Sequence, residues 1–276
     1  MKLKYAGLAI VICVGACDNG GEEAEKPEPE AWVPPPYVMG EHIPDYIRAA
    51  VEHPERPDED KVRDGGRKPA DVLAFAGLKP GMTALDLVSS SGYYAEVLSR
   101  AVGEKGKVIA HNTEWMIKEY YSEPIAKRYE DDRLANTEFY VAEFNDIDLL
   151  EGSVGFAILG LNYHDIYWVP KLDSEFIWLP IDQEKFLANI YRALKPGGVF
   201  VIVDHEAPES LGTEAGNTLH RISSAIVKAQ MQDAGFELTG ESDALRNPDD
   251  DHSLNVFHPD IRGRTDRFVL VFRKPA

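Results

Sequence analysis

From residue 70 onward the chain alternates short apolar runs with amphipathic stretches, and this alternation limits the fold more than any other feature. The runs "TALDLV" (83–88), "GKVIAHN" (106–112), "TEFYVAEF" (137–144), "SVGFAILGLNY" (153–163) and "VFVIVDH" (199–205) predict strands. Between them, 92–102, 114–128 and 182–194 predict helices, the last capped by Asp182. Such alternation implies a parallel sheet covered on both faces. The run 199–205 is apolar for long enough to lie in the middle of that sheet. After a helix at 222–234, opened by His220 and Arg221, the strands "FELTGESDAL" (236–245) and "DRFVLVFRK" (266–274) follow with no helix between them. The last strand is therefore expected antiparallel, at or near the sheet edge. Shorter helices are predicted around 44–52 and 70–76. The charged stretch 54–69, with Gly65-Gly66, reads as loop. The expected fold is a Rossmann-like, doubly wound α/β domain of seven strands over residues 41–276, with its ligand beyond the carboxyl ends of the strands.

The first 40 residues are of another kind. Lys2 and Lys4 precede an apolar run from Ala6 to Ala16, too short to cross a bilayer as a helix. Residues 1–16 therefore read as a signal peptide. The run ends in Val14-Gly15-Ala16-Cys17, and small residues directly before a Cys resemble the bacterial lipobox, which predicts lipidation of Cys17. Residues 17–40 then form the lipidated Cys and a disordered acidic, Pro-rich tether. Two or more acyl chains on one Cys anchor a protein stably. The expected location is the bacterial cell envelope, on the periplasmic side, with Asp18 pointing to the inner membrane. Loss of residues 1–16, which hold two lysines and no acids, takes the net charge from −18 to −20. Such a surface repels phosphate backbones and anionic lipid. Nucleic acid is thus not an expected partner, and the membrane is met only through the lipid anchor. With Cys13 removed and Cys17 acylated, no disulfide is expected, and the core alone must hold the domain.

Several turns now recur in a known order. A first strand enters a turn at "LDLVSSSGYY" (85–94), "LKPGG" precedes the fifth strand, Ala234-Gly235-Phe236 precedes the sixth, and the seventh is antiparallel. Together these resemble the class I S-adenosylmethionine-dependent methyltransferases, over residues 41–276. The stretches "NYHD", "VDH", "TLHRI", "LRNPDDDH" and "IRGRTDRFVLVFRKP" are similar to an exported, lipoprotein branch of that superfamily. The resemblance implies methyl transfer to a small-molecule or envelope-associated substrate, with S-adenosylmethionine as cofactor.

It also implies site residues. The family places an acid, one residue, then Gly-x-Gly-x-Gly after the first strand. Asp86 matches the acid; Val88, Ser90 and Gly92 stand at the glycine positions. Glycines there permit positive φ and close approach of a ligand, and Val is a poor substitute. Ser89, Ser90 and Ser91 offer hydroxyls, and the helix start offers free N–H groups to the methionine carboxylate. A serine run that merely caps the helix gives the same pattern. Asn112 stands where the family has a ribose-binding acid, and Glu143 where it has an acid near the adenine. The fourth strand ends in Leu161-Asn162-Tyr163-His164-Asp165, where the family faces the transferred methyl group. Asn162 is expected to touch the cofactor, and His164, oriented by Asp165, to act on the acceptor. His205, at the end of the fifth strand, is expected at the same rim.

His164, Asp204, His205 and Glu206 would together suit a divalent metal, but no HxxxH or CxxC spacing accompanies them, and a metal is not expected. The absence of Asn-Pro-Pro-Tyr argues against nucleobase amines as acceptors. Val88, Ser90, Asn112 and export together leave a second reading open: a fold repurposed as a ligand-binding lipoprotein, or as a His/Asp enzyme without that cofactor.

Overall fold

The computed structural model describes residues 32–276 except 170, 173–174 and 177–179. The signal peptide, Cys17 and most of the acidic tether lie outside the described residues. Three helices come first: α1 (Asp45–Val51), α2 (Asp58–Arg67) and α3 (Pro69–Phe75). The strand β1 (Thr83–Leu87), helix α4 (Tyr93–Val102) and strand β2 (Lys107–Asn112) follow. A π turn at Ile117–Tyr121 joins α5 (Glu114–Met116) to α6 (Ser122–Arg128), ahead of β3 (Thr137–Val141). Strand β4 (Val154–Gly160) leads to a 3₁₀ turn at His164–Tyr167. A two-residue ribbon, β5 (Lys171–Leu172) and β6 (Glu175–Phe176), precedes α7 (Gln183–Ala193), which Asp182 caps by accepting the Lys185 N–H at 3.0 Å. The chain ends with β7 (Leu194–His205), α8 (Glu214–Leu219), α9 (Ser224–Asp233), β8 (Glu237–Ser242) and β9 (Arg267–Arg273).

The main sheet runs β3-β2-β1-β4-β7-β9-β8. The first five of these pair in parallel, and β9 is antiparallel to both of its neighbours. Successive side chains of a strand point to opposite faces, and the central strands bury both. On β7, Val199, Val201 and Val203 join the core on the α1–α3–α4 side, while Phe200 and Ile202 join the core against α7 and α9. The final strand is therefore near the edge and not at it. Residues 268–272 are all buried, so β9 needs a strand on each side; β8, exposed at Glu237, Leu238, Thr239 and Glu241, takes the solvent edge.

Two stretches differ from expectation. Residues 58–67, which read as loop, form α2. Asp58, Glu59 and Asp60 in its first turn and Arg67 in its last suit the helix dipole. Gly65 is there for space: a Cβ on it would collide with the Pro35 carbonyl oxygen, because residues 32–36 pass over the helix. Further on, His220 and Arg221 do not open a helix. His220 closes the short α8 in a left-handed conformation, and α9 starts only after Ser223.

Buried ion pairs fix α2. Arg56 donates to both Asp64 oxygens at 2.7 and 2.8 Å, and the Tyr93 hydroxyl donates to Asp64 at 2.6 Å. Arg128 lies 2.8 Å from Asp60. The Arg56 side chain is fully buried, so removing its partner leaves an uncompensated charge. Asp64→Ala is therefore expected to destabilise the protein by about 3–5 kcal/mol, read as a lower midpoint in denaturant unfolding.

Candidate functional site

The loop after β1 decides the site's shape. Val88, Ser90 and Gly92 have φ of 53°, 55° and 87°, so all three take the left-handed backbone that glycine favours. Only Gly92 does so freely; each of the other two costs roughly 1–3 kcal/mol. The end of β2 holds them. The Ser89 N–H donates to the His111 carbonyl at 2.8 Å, and the Ser90 N–H to the Asn112 side-chain oxygen at 2.9 Å. The Asn112 amide returns two bonds, to Ser89 Oγ at 3.2 Å and the Ser90 carbonyl at 3.1 Å. Gly92 is required twice over, since a Cβ there would stand 2.5 Å from the Arg128 side chain that crosses it.

Beside this loop lies a cavity of about 660 Å³. Asp86 and Ser89–Ser91 line one end; Trp115, Met116, Tyr120 and Tyr121 line its wall. Asp86 is 2% exposed, and its Oδ2 has no hydrogen-bond partner. Burial pushes its pKa up to about 8, against the pull of the Ala95 N–H, Arg67 and Arg128. Arg67 and Arg63 reach the same end from α2, and the Arg67 guanidinium stands 4.5 Å from the Tyr93 ring centroid. Neither arginine stands out in the sequence, where the stretch 54–69 reads as loop. Their i, i+4 spacing behind Pro57 was the available signal.

The other end carries the histidines. His164 Nδ1 donates to Asp204 Oδ1 at 2.8 Å, and the His164 N–H donates to Asp204 Oδ2 at 2.8 Å. Its Nε2 lies 3.3 Å from Asp165 Oδ1. Asp204, on β7, is thus the carboxylate that orients His164, while Asp165 faces the opposite ring nitrogen. Burial disfavours a charged His164, but Asp204 and Asp165 outweigh it and push its pKa up to about 9. His205 is the reverse case. Burial, with the charge of His164 beside it, holds it well below the usual range, and its Nδ1 lies 2.6 Å from Thr265 Oγ1.

Of the residues expected at the site, Asp86, Val88, Ser89, Ser90, Ser91, Asn162, His164, Asp165 and His205 all line this one cavity. Asn162 donates to Asp165 Oδ2 at 2.8 Å and so also positions that carboxylate. Gly92 stands behind the loop. Like Gly92, two further residues do not line the cavity. Asn112 is fully buried with its amide spent on the loop, where it acts as a strut. Glu143 stands outside, where burial pushes its pKa up and the Glu114 N–H pulls it down. Nor do the four residues weighed for a metal converge. Glu206 accepts from the Ser224 N–H at 2.8 Å and from Arg246 at 2.9 Å.

The raised Asp86 and His164 values have one consequence for stability. Each group holds a proton more tightly in the fold than in the unfolded chain, so its contribution is full at low pH and is lost as pH rises, through about 9 for His164 and about 8 for Asp86. The melting temperature is expected to fall by several degrees between pH 6.5 and 9. Asp86→Asn should melt higher than the parent at pH 8 and above, with a shallower fall, in thermal melts across that range.

The chain's likenesses agree with this geometry. The family model for protein-L-isoaspartate(D-aspartate) O-methyltransferase matches residues 67–139, which contain the loop and β2. The ubiquinone/menaquinone biosynthesis C-methyltransferase UbiE of Escherichia coli O139:H28 is 25% identical over 195 residues, 60% of this chain and 70% of that one. A SAM-dependent methyltransferase from Aquifex aeolicus superposes with a TM-score of 0.52 at 25% identity, covering 75% of this chain and 89% of its own. An S-adenosylmethionine-dependent methyltransferase from Mesorhizobium loti shares the fold at a TM-score of 0.52 and 17% identity, covering 76% and 99%. The cavity suits that cofactor at its methionine end, where the unpartnered Asp86 oxygen and Arg67 would meet an ammonium and a carboxylate. Trp115 and Met116 would take the adenine side that Asn112 and Glu143 leave unserved. This chain is an enzyme of the class I S-adenosylmethionine-dependent methyltransferase superfamily.

Proposed function

We propose that the enzyme is anchored in the bacterial envelope by lipid on Cys17 and methylates a small, envelope-associated acceptor held at the histidine end of the cavity. One observation carries the reading of the site: a single cavity is lined at one end by Asp86 and Ser89–Ser91 and at the other by His164, Asp165 and His205. Bound S-adenosylmethionine supplies an electrophilic methyl group on a sulfonium. The protein's own part is to bind, align and move a proton. Asp86, once ionised, meets the ammonium; Ser89–Ser91 and Arg67 meet the carboxylate. Trp115, Tyr121 and Trp168 shield the site from water. His164, charged between Asp204 and Asp165, donates toward an acceptor oxygen or sulfur. His205, kept neutral, is the group able to take the acceptor's proton. Holding nucleophile and methyl group in line supplies much of the acceleration. The anchoring part of the proposal rests on Val14-Gly15-Ala16-Cys17 and on the acidic stretch after it. Among the described residues no helix is long and apolar enough to cross a membrane.

Calorimetry of the purified protein with S-adenosylhomocysteine is expected to give one site, weakened at least tenfold in Asp86→Asn; no binding at millimolar ligand would reject the methyltransferase reading. His205→Ala should bind the same ligand as the parent does, yet transfer tritiated methyl to an envelope extract roughly 100-fold more slowly. For anchoring, cells fed labelled palmitate should label the parent and not Cys17→Ser, which should leave the membrane fraction. Equal labelling of the two would exclude Cys17 as the anchor.

A further inference from the structure

The exit of β4 and the end of α8 bring three metal-ligating side chains together inside the cavity. His164, Asp165 and His220 each offer one ligand atom, and these atoms all lie within 4.8 Å of one another. We propose that these three residues bind a divalent transition metal ion of the zinc, cobalt or iron(II) class, which in turn holds the methyl acceptor through oxygen or sulfur. The proposal rests on the cavity's acceptor end as described above and names the acceptor's chemistry.

The donor set is two imidazoles and one carboxylate, a combination that suits those ions and leaves coordination positions open. All three residues line the cavity, so the open positions face the place an acceptor would occupy. Each ligand is also held from behind. Asp204, fully buried, takes the Nδ1–H of His164 and leaves Nε2 for the ion, the carboxylate–histidine arrangement common behind metal ligands. Asn162 fixes Asp165 Oδ2 at 2.8 Å and leaves Oδ1 toward the two imidazoles, 3.3 Å from His164 Nε2 and 3.9 Å from His220 Nδ1. His220 sits in a left-handed backbone at φ 54°, with its ring against those of His164, Trp168 and Phe257 at 5.4, 5.6 and 5.0 Å. At 3.9 Å its Nδ1 stands beyond ordinary hydrogen-bond distance from Asp165 Oδ1. A strained backbone that delivers an imidazole to two other ligands is the expected mark of a built site.

With the ion in place, His164 acts through its neutral imidazole and the ion supplies the positive charge at the same point. An acceptor hydroxyl or thiol bound there loses its proton more readily. That proton passes to His205. The remaining electron pair forms the new bond to the methyl carbon as the sulfonium carbon–sulfur bond breaks, and the electrons of that bond stay on sulfur as a thioether.

Chelator-treated protein is titrated with cobalt(II), followed by its visible absorbance, and with zinc in competition; S-adenosylhomocysteine binding is measured on the same samples. One equivalent of cobalt is expected, with affinity lowered about 100-fold or more in His220→Ala and in Asp165→Asn. An exposed-site control, His258→Ala, should bind as the parent does. S-adenosylhomocysteine binding by each variant reports that it has folded. Absence of cobalt and zinc binding at millimolar metal, or stoichiometric binding that survives His220→Ala, overturns the proposal. Metal binding without S-adenosylhomocysteine binding would keep this site and reject the methyltransferase reading, whereas the reverse pattern would reject only the metal.

Discussion

The bond network between the Asn112 amide and the 88–92 loop is the constraint on which the site depends. Three hydrogen bonds from one buried side chain hold Ser89 and Ser90 to the end of β2. They keep Val88 and Ser90 in a backbone that neither residue would choose. Because the loop keeps this shape, Asp86 stays dry and unpartnered beside it, and the start of α4 stays open to the cavity. A fold emptied of its cofactor would have no reason to hold a valine at positive φ. The glycines are missing, but the conformation they normally allow is retained, at an energetic cost that Asn112 offsets.

A second balance is electrostatic. Two buried acids on α2, Asp60 and Asp64, engage Arg128 and Arg56, so the helix is tied to α6 and to the loop that precedes it. Arg67, on the same helix, is left to face the cavity. At the far end Asp204 serves His164 through both of its oxygens. Burial, with the charge of His164 at a ring separation of 5.9 Å, then keeps His205 neutral. One charged and one neutral imidazole are thereby placed side by side in the cavity, and unlike protonation states are what proton movement during a displacement requires.

Much of this was legible in the sequence, and the failures share a cause. The strands showed because their apolar runs are set by burial on both faces, and the antiparallel last strand followed from a missing helix. Asp86, the serines and the His164–His205 rim were legible because the strand ends dictate where those residues emerge. The α2 helix was hidden by Gly65-Gly66, which looks like a turn until Pro35 is seen lying on it. The position of Asn112 in the family pattern says nothing of how its amide spends its bonds. The partnership of His164 with Asp204, in place of its neighbour Asp165, and the approach of His220 both come from segments that only the fold brings together.

The most direct test of this account is a structure of the protein with S-adenosylhomocysteine bound. The amino-acid end of the ligand is expected against Asp86, Ser89–Ser91 and Arg67, with its sulfur directed toward Asn162 and His164. The adenine should lie along Trp115 and Met116, with Asn112 still bonded to Ser89 and Ser90. A ligand lodged outside the cavity, or one that enters only after Asn112 releases the loop to meet the ribose, would contradict it.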